Sequence, residues 1–398
     1  MELKITNLNH TGSGISKINN KIIFIDKTLP EDIITITNIK EYKNYSQGEI
    51  LNIIKESPHR CTPQCKYFSI CGGCQLQHTN YKYELNYKKE KFINILEKYA
   101  NIKTNPQIIP SKRYNYRNKI SLKVINNKLG LLSENTHNII PIDNCLLVSE
   151  RINNIIKYLN QNINLSKVKE VIIRENLNKI MLIILGELSK DNIELLKKEV
   201  DSLYINDIHI YGLSKLEEKL SNYKYVISPN SFFQINKEQT INLYNKIKEY
   251  LGTNNNNILD LYCGSATIGI YISKCAKKIT GIEINSSSIK DAYDNLKINN
   301  INNIELLEGK VSNLLKTNNK YDAIIVDPPR SGLDKITKKT LLTINSPKII
   351  YISCNPITLA RDIKDLSNNY KVQEITLFDM FPNTYHVETV MILEKKDV

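Results

Sequence analysis

The sequence predicts an α/β protein with a C-terminal Rossmann-like domain, an N-terminal β-barrel and a β-rich central domain. From residue 257 onward, apolar runs alternate with amphipathic helical segments, which is the pattern of βαβ units on a parallel sheet. Residues 2–56 alternate short β-branched runs with turns, and residues 111–224 mix strands with helices. We place the three domains at residues 1–56, 57–235 and 236–398.

Composition narrows the choice of partner and compartment. A chain of 398 residues can hold two or three cores, and its formal charge of +13 favours a polyanionic partner such as nucleic acid. A coding bias towards Lys, Asn and Ile would explain part of this charge. No run approaches the roughly 20 apolar residues of a membrane helix, and residues 1–20 lack a secretory layout. We expect a monomeric, cytoplasmic protein without membrane contact.

The barrel segment is followed directly by a cysteine-rich segment. Small barrels often bind nucleic acid on one face, although basic five-stranded barrels also serve as spacers. In a reducing compartment, the eight cysteines are not expected to form disulfides. Cys65, Cys71 and Cys74 have a C-x5-C-x2-C spacing with a Gly-Gly turn, so three thiolates can converge and a fourth ligand must come from elsewhere. The spacing therefore predicts a metal centre. Zinc is one possible occupant, although zinc commonly uses two C-x2-C pairs. Residues 81–99 then form a charged helix.

The first part of the C-terminal domain carries the pattern of an adenosine cofactor site. A polar turn is expected at residues 254–257, a buried strand at 258–261, and a turn into a helix at 262–269, where small residues let the backbone approach a ligand. Glu283 ends the next strand, about 20 residues downstream, where a carboxylate can accept both ribose hydroxyls. This spacing alone leaves NAD, S-adenosylmethionine and a solvated carboxylate open.

Two prolines follow the strand at residues 323–326. They stiffen the turn, so that Asp327 stays fixed at the edge of the pocket. An Asp-Pro-Pro turn after the fourth strand of a parallel sheet resembles the substrate-side motif of methyltransferases that act on planar nitrogen rings. This motif favours S-adenosylmethionine over NAD.

The last two strands end or begin with reactive groups. Cys354 ends the strand expected at residues 348–354 and precedes the helix at 357–366, where the helix dipole stabilises a thiolate, although most cysteines are small buried hydrophobes. Glu388 interrupts an apolar strand, where a carboxylate is costly without a role or a partner. His386 is a weaker candidate, because a histidine in a strand is more often structural.

The pair Cys354 and Glu388 suits methylation of uracil at C5. That carbon is a poor nucleophile until a thiolate adds to C6 and gives C5 enolate character. The activated carbon can then take a methyl group from a sulfonium, after which a base must remove the C5 proton so that the thiolate leaves by β-elimination. We predict Cys354 as the nucleophile and Glu388 as the base.

Together, these motifs resemble those of the bacterial RNA (uracil-5-)-methyltransferase family over almost the whole chain. Residues 260–264, 327–330, 353–356 and 386–388 are similar, in the family's order, to its cofactor, substrate, nucleophile and base segments. Residues 231–236 resemble a further segment whose glutamine lies at the cofactor and uracil pocket. The resemblance implies four contacts with S-adenosylmethionine: Gln234, Tyr262, Glu283 and Asp327.

The resemblance also implies the roles of the N-terminal half. The barrel is similar to a TRAM domain, the OB-like RNA-binding module of this family, and Cys145 is the implied distant ligand of a 4Fe-4S cluster with Cys65, Cys71 and Cys74. The implied partner is RNA. Ribosomal RNA of the 23S type is favoured, because relatives with both the TRAM-like domain and the cysteines tend to act there, and tRNA is the runner-up. Ala266 departs from the family, which often has Gly at this position.

Three other functions compete with this interpretation. A cytosine-5 RNA methyltransferase commonly has a cysteine beside its Asp-Pro motif, where this chain has Arg330 and Ser331. An amino-group methyltransferase needs no thiolate and prefers an aromatic residue after the prolines. A non-catalytic RNA-binding or iron–sulfur redox module would leave Cys354 and Glu388 without a purpose.

Overall fold

A computed structural model describes residues 2–134, 136 and 138–397 of the chain. The first residue of the predicted domain 1–56 and the last residue of the predicted domain 236–398 lie outside the described residues. The predicted fold class is confirmed, with a β-rich N-terminal part and a C-terminal domain of alternating strands and helices.

The β-branched runs of the N-terminal segment form a six-stranded sheet in the order β1-β5-β6-β4-β3-β2. The sheet closes where Thr6, between β1 and β2, donates its backbone N–H to the carbonyl of Ile15 in β3 at 2.9 Å. Ile5, Ile23 and Ile34 fill the interior. The strands are β1 (Glu2–Lys4), β2 (Asn7–Leu8), β3 (Gly14–Ile18), β4 (Lys21–Ile25), β5 (Ile33–Glu41) and β6 (Ser46–Lys55).

The predicted charged helix is present as α1 (Tyr81–Ala100), and strand β7 (Gln107–Ile109) follows it. The side chain of Asn80 caps the start of α1 by accepting the N–H of Tyr83 at 2.9 Å. Apolar side chains of α1, including Phe92, pack into the core of the C-terminal domain, and β7 joins its sheet. Residues 81–109 thus pack with the C-terminal domain, while the predicted boundaries between the domains stay a prediction.

The central region forms a seven-stranded sheet in the order β10-β9-β8-β11-β12-β13-β14, followed by the hairpin β15–β16. Apolar residues of α2, among them Ile152 and Ile156, cover one face of this sheet. The elements are β8 (Lys119–Ile125), β9 (Lys128–Leu132), β10 (Ile139–Pro141), α2 (Glu150–Asn162), β11 (Val168–Asn176), β12 (Lys179–Gly186), α3 (Lys190–Leu196), β13 (Ser202–Ile205), β14 (Ile208–Gly212), β15 (Leu216–Leu220) and β16 (Tyr223–Ile227).

The C-terminal domain is a doubly wound sheet in the order β19-β18-β17-β20-β21-β23-β22-β7. Strands β17 to β21 are parallel, and β23 is antiparallel to both of its neighbours. The elements are α4 (Lys237–Leu251), β17 (Asn255–Leu261), α5 (Thr267–Tyr271), β18 (Ala276–Glu283), α6 (Ser286–Ile298), β19 (Ile304–Glu308), α7 (Val311–Leu314), β20 (Ala323–Val326), α8 (Lys335–Ile344), β21 (Lys348–Ser353), α9 (Pro356–Leu366), β22 (Tyr370–Phe378) and β23 (Glu388–Lys395).

The turn predicted at residues 254–257 is only partly a turn. Asn255 already belongs to β17, and its amide nitrogen donates to the carbonyl oxygens of Leu251 and Cys275, both at 2.9 Å. These two hydrogen bonds satisfy the buried amide and explain why a polar residue can begin a buried strand.

The barrel lies against α1, close to the C-terminal sheet. Leu8 and Leu29 of the barrel pack with Leu76 and Tyr87, and the Tyr87 hydroxyl donates to the carbonyl of Asn9 at 2.7 Å. The loop between β2 and β3 is therefore held next to α1. None of the helices in the described part of the chain is long and apolar enough to cross a membrane.

Candidate active site

The segments that follow β17, β20 and β21 lie side by side at one edge of the C-terminal sheet. Leu261, at the end of β17, is paired with Val326 at the end of β20, and β20 is paired with β21. Because these strands are parallel, Asp327 and Cys354 emerge at the same edge. Strand β23 runs in the opposite direction and begins at this edge with Glu388. The sheet therefore brings three of the predicted site residues together.

The turn after β17 has an unusual backbone. Tyr262, Gly264 and Ala266 have φ angles of 62°, 55° and 59°, in the left-handed region that favours glycine. Ala266 occupies the position where the family often has Gly, and at this φ its Cβ costs about 1 kcal/mol of strain. The carboxylate of Glu283 accepts the N–H of Gly264 at 3.1 Å and the N–H of Asn285 at 2.7 Å. These bonds fix Glu283 beside the turn.

The other two predicted cofactor residues have different surroundings. Tyr262 is half-buried and its side chain interacts with Thr337 at the start of α8. The carbonyl oxygen of Gln234 accepts from the amide of Asn118 at 3.2 Å, while the Gln234 side chain forms no hydrogen bond within the described residues. Asn236, two residues after Gln234, is hydrogen-bonded to the segment that precedes Glu388. Its side-chain amide donates to the carbonyl oxygen of Met380 at 3.2 Å.

Three buried carboxyl groups meet below this edge, and sequence reasoning identified only two of them. Burial raises the pKa of Asp327 to about 7, and burial together with the charge of Asp327 raises the pKa of Asp260 to about 8. Burial and Asp327 also raise the pKa of Glu388 well above its usual range. Asp260 keeps one carboxyl oxygen without a hydrogen-bond partner among the described residues. The three groups suit an organic cation, although within the described residues they do not form a group that could hold a metal ion.

Cys354 is close enough to Glu388 and to Arg330 for both charges to act on its thiol. Burial and the charge of Glu388 raise the pKa of the Cys354 thiol, whereas Arg330 acts in the opposite direction. The thiolate stabilisation expected from the helix start is therefore outweighed in this state. Asn355 caps α9 by accepting the N–H of Ile357 at 3.1 Å, and its amide donates to the carbonyl of Arg330 at 3.2 Å. These contacts fix the Arg330 loop against the cysteine turn.

Glu388 is placed by the pairing of β21 with β23. Ser353 is paired with Thr389, so that the residue after Ser353 and the residue before Thr389 lie next to each other. These two residues are Cys354 and Glu388. The antiparallel register thus places the nucleophile and base candidates on neighbouring strands, 34 positions apart in sequence.

The loop before Glu388 is anchored to α1 by a buried charge network. The Nζ of Lys88 donates to Glu84 at 2.7 Å and to Asp379 at 2.6 Å, and all three side chains are fully buried. Glu84 also accepts the backbone N–H of Asn383 at 2.7 Å and a hydrogen bond from Arg113 at 3.1 Å. This network holds the segment from Asp379 to Asn383, which leads into the base candidate.

The four cysteines predicted as metal ligands line one cavity of about 330 Å³. They are Cys65, Cys71, Cys74 and Cys145. The side chain of Arg117 also lines the cavity, and the N–H of Gly73 points at the sulfur of Cys71 at 3.4 Å. Within residues 2–134, 136 and 138–397, no three His, Cys, Asp or Glu side chains form a group that could hold a metal ion. The thiols surround a space and do not converge on one point.

Sequence reasoning missed three side chains at or near this edge. Asp260 carried the same signal as Glu388, a carboxylate inside an apolar strand. Arg330 was used only to exclude alternatives, although its place after two prolines fixes it at the sheet edge. Lys91 lines the same cavity as Cys354. Nothing in the neighbouring sequence marks Lys91 as a site residue, since lysines are common on the charged face of a helix such as α1.

Comparisons with known proteins agree with this geometry. The sequence model of the tRNA (Uracil-5-)-methyltransferase family matches residues 197–396, and that of the TRAM domain matches residues 1–51. An RNA methyltransferase of Staphylococcus aureus (strain N315) is 35% identical over 440 residues, which cover 98% of this chain and 97% of the relative. One from Clostridium tetani is 34% identical over 438 residues, which cover 98% of this chain and 95% of the relative.

Among solved structures, the crystal structure of Pyrococcus abyssi tRNA (uracil-54, C5)-methyltransferase in complex with S-adenosyl-L-homocysteine is similar over the full chain. The TM-score is 0.83 and the sequences are 30% identical, with 99% of both chains covered. The similarity therefore includes the barrel and the central region as well as the C-terminal domain.

Proposed function

The chain belongs to the family of S-adenosylmethionine-dependent RNA (uracil-5-)-methyltransferases, and we propose that it forms 5-methyluridine with Cys354 as the nucleophile and Glu388 as the base. The observation that carries this proposal is the register of β21 and β23, which makes the two side chains neighbours. The charge of Glu388 raises the pKa of the Cys354 thiol, as expected for two groups that face adjacent atoms of one substrate.

Each residue has a defined part in the proposed reaction. The Cys354 thiolate adds to C6 of the uracil, and C5 becomes nucleophilic. Arg330 lies beside the thiol, where its positive charge favours the thiolate and the negative charge that develops on the uracil. Glu388 removes the C5 proton after methylation in its ionised form, which the charge of Arg330 favours, and its raised pKa then makes it a stronger base than an exposed glutamate. β-Elimination then frees the Cys354 thiolate.

We assign the cofactor contacts to Gln234, Tyr262, Glu283 and Asp327. When bound, S-adenosylmethionine supplies the methyl group together with a positively charged sulfonium. The buried carboxyls of Asp260 and Asp327 suit such a cation, since a nearby positive charge favours their ionised forms. Glu283 is already held by two backbone N–H groups at the end of β18, where a ribose would lie.

We further propose that Cys65, Cys71, Cys74 and Cys145 hold a 4Fe-4S cluster. A single zinc ion needs four sulfurs at about 2.3 Å, whereas these thiols surround a cavity of about 330 Å³. The N–H of Gly73 near the Cys71 sulfur and the positive Arg117 in the wall suit a negatively charged cluster. The cluster would tie the cysteine-rich segment to the central sheet and has no part in the methyl transfer.

Metal analysis tests this assignment. Protein purified without oxygen should be brown and contain about four iron and four sulfide per chain. Cys145→Ala should lose the iron, whereas Cys61→Ala, which changes a cysteine outside the assigned set, should keep it. One zinc per chain, with no iron or sulfide, would contradict the proposal.

We propose 23S ribosomal RNA as the substrate, from the combination of a TRAM domain with the four cysteines. Transfer RNA is the second candidate, and a specific observation favours it: the Pyrococcus abyssi enzyme, which is named for uracil 54 of tRNA, is similar over 99% of both chains.

Nucleoside mapping of ribosomal and transfer RNA from a deletion strain tests both candidate substrates. The chain carrying Cys354→Ala should fail to restore the missing 5-methyluridine, whereas Cys61→Ala should restore it. Loss of 5-methylcytidine, or no loss at all, would refute the proposed function.

A further inference from the structure

A second cavity, of about 270 Å³, lies beside Cys354 on the side that faces the barrel. The β2–β3 loop contributes His10 to its wall, α1 contributes Lys91, and the C-terminal domain contributes Arg330 and Cys354. Neither Asp327 nor Glu388 lines it. A uracil that contacts both Cys354 and Glu388 therefore extends beyond this cavity, and the part of the cavity lined by His10 and Lys91 is available to a neighbouring part of the RNA.

The wall of this cavity is positively charged. Lys91 and Arg330 are cations, His10 and His386 add two imidazoles, and none of the lining residues in the described part of the chain is an Asp or a Glu. The pKa of His386 is lowered to about 4 by burial and by nearby cations, of which Arg330 is the strongest. The lining thus carries positive charge and no carboxylate of its own, while Arg330 also acts on Glu388 outside the cavity.

Lys91 is the clearest sign that this cavity suits an anion. Its Nζ contacts the carbonyl oxygen of Tyr385 and lies 5.5 Å and 5.4 Å from the ring centres of Tyr87 and Tyr385. Within the described residues, these three groups that Lys91 contacts are all neutral. Burial, followed by the charge of Lys88, lowers the pKa of Lys91 to about 7. An ammonium group in such a place is stabilised when an anion enters.

The loop that brings His10 to the cavity is held firmly. The side-chain oxygen of Asn9 accepts the N–H groups of Thr11 and Ser13, both at 2.9 Å, and its carbonyl accepts the Tyr87 hydroxyl. The barrel and α1 therefore form one fixed wall opposite the cysteine turn. An RNA strand that enters between the barrel and the C-terminal domain passes this wall before its uridine reaches Cys354.

We propose that this cavity binds one backbone phosphate of the RNA, adjacent to the target uridine, with Lys91 as the phosphate-binding side chain. A phosphodiester is the anion that accompanies every nucleotide, and lysine binds it as a point charge. The inference rests on the proposed function, because it takes the substrate to be RNA. Lys91 is a substrate-positioning residue and takes no part in the chemistry at C5 or C6.

The test combines a charge-removing variant with RNA that has lost one charge. Short uridine-containing oligonucleotides are made with a single neutral methylphosphonate at each position around the target, and methyl transfer is measured with each. For the unaltered protein, a methylphosphonate at one position next to the uridine should raise KM by about 10-fold. Lys91→Gln should raise KM by a similar factor for unmodified RNA and should lose the sensitivity at that one position, since the two changes remove the same contact.

Lys82→Gln is the matched control, because Lys82 is an exposed lysine of the same helix and does not line the cavity. It should leave KM and the methylphosphonate profile unchanged. Lys91→Gln should also flatten the dependence of log(kcat/KM) on log salt by about 0.7–0.9, as expected for one lost phosphate contact. The dissociation constant of S-adenosylmethionine should not change.

Two results would overturn the inference. One is an unaltered protein that tolerates a methylphosphonate at every position, a measurement that does not depend on how any variant folds. The other is a folded Lys91→Gln that keeps the sensitivity at the same position. Both differ from failure of the proposed function, in which the unaltered protein transfers no methyl group to uridine in any oligonucleotide.

Discussion

At the scale of single residues, the site is dominated by acids that burial keeps from ionising. Asp260, Asp327 and Glu388 lie close together, and burial raises the pKa of each. Their ionised forms repel one another until a cation enters. A protein without its cofactor is therefore strained at this edge, which is a common cost of a site built for a charged ligand.

Asp260 makes this strain measurable. Its pKa is about 3.8 when exposed and about 8 in the fold, so between these values the folded chain binds more protons than the unfolded chain. The contribution of Asp260 to the free energy of unfolding therefore falls as the pH rises from about 4 to 8, and the penalty is complete above the higher value. Asp260→Asn should remove it.

We expect Asp260→Asn to raise Tm at pH 8 in the absence of cofactor, with a smaller increase at pH 5.5. The gain should be about 1–3 kcal/mol, or roughly 2–4 °C per kcal/mol. The same change should weaken S-adenosylmethionine binding. Glu217→Gln, an exposed carboxylate on β15, is the control and should change neither. An equal or lower Tm for Asp260→Asn at pH 8 would contradict the account of the three carboxylates.

Single residues also mark how far the sequence could be interpreted. Glu388 was predicted because a carboxylate in an apolar strand needs a reason, and Asp260 carries the same signal in residues 258–261. The thiolate expected at Cys354 depended on the helix start alone. Its raised pKa could not be predicted, because burial and the position of Glu388 are set by the fold and not by neighbouring residues.

At the scale of elements, α1 anchors the loop that carries the base. Lys88 forms ion pairs with Glu84 on its own helix and with Asp379 at the end of β22, and these contacts are fully buried. Asn383 is fixed to the same carboxylate of Glu84. The helix is therefore part of the support of the site, although it lies almost 300 positions away from Glu388 in sequence.

Lys88→Met should destabilise the protein by about 3–5 kcal/mol, because it leaves the buried carboxylate of Asp379 without a cation and leaves Glu84 with Arg113 alone. Thermal or urea denaturation measures this change. Lys82→Gln on the same helix loses an exposed lysine and should stay within about 0.5 kcal/mol of the unaltered chain. If the two variants were equally stable, the network around Lys88 would not anchor the loop.

The elements themselves were largely predictable, while their partners were not. Apolar spacing identified α1, and alternating segments identified the strands and helices from β17 to α9. The parallel pairing of β7 with β22 left no local signal, since it joins Gln107–Ile109 to residues 376–378. Asn255 was expected in a turn because its own polarity is visible in the sequence, whereas the two carbonyls that satisfy it are not.

At the scale of the whole molecule, three regions of the chain line the cavity beside the turn that carries Cys354. The C-terminal sheet carries Cys354, α1 carries Lys91, and the barrel brings His10 to the same cavity. Composition and patterning predicted a basic protein with a barrel, a central sheet and a Rossmann-like domain. The cavity that the barrel and the cysteine turn share could not be predicted, because it depends on packing between regions that are separated by hundreds of residues.

The most direct test of the central claim uses denaturing gels with RNA and S-adenosylmethionine, followed by mass measurement of any shifted band. Cys354→Ala should give no covalent adduct, since no thiolate is left to attack C6. Glu388→Gln should form the methylated adduct and release it about 10²- to 10⁴-fold more slowly than the unaltered protein, because no base removes the C5 proton. Cys61→Ala, outside the site, should behave like the unaltered chain. Wild-type turnover by Glu388→Gln, or a shifted band with Cys354→Ala, would contradict the assignment of nucleophile and base.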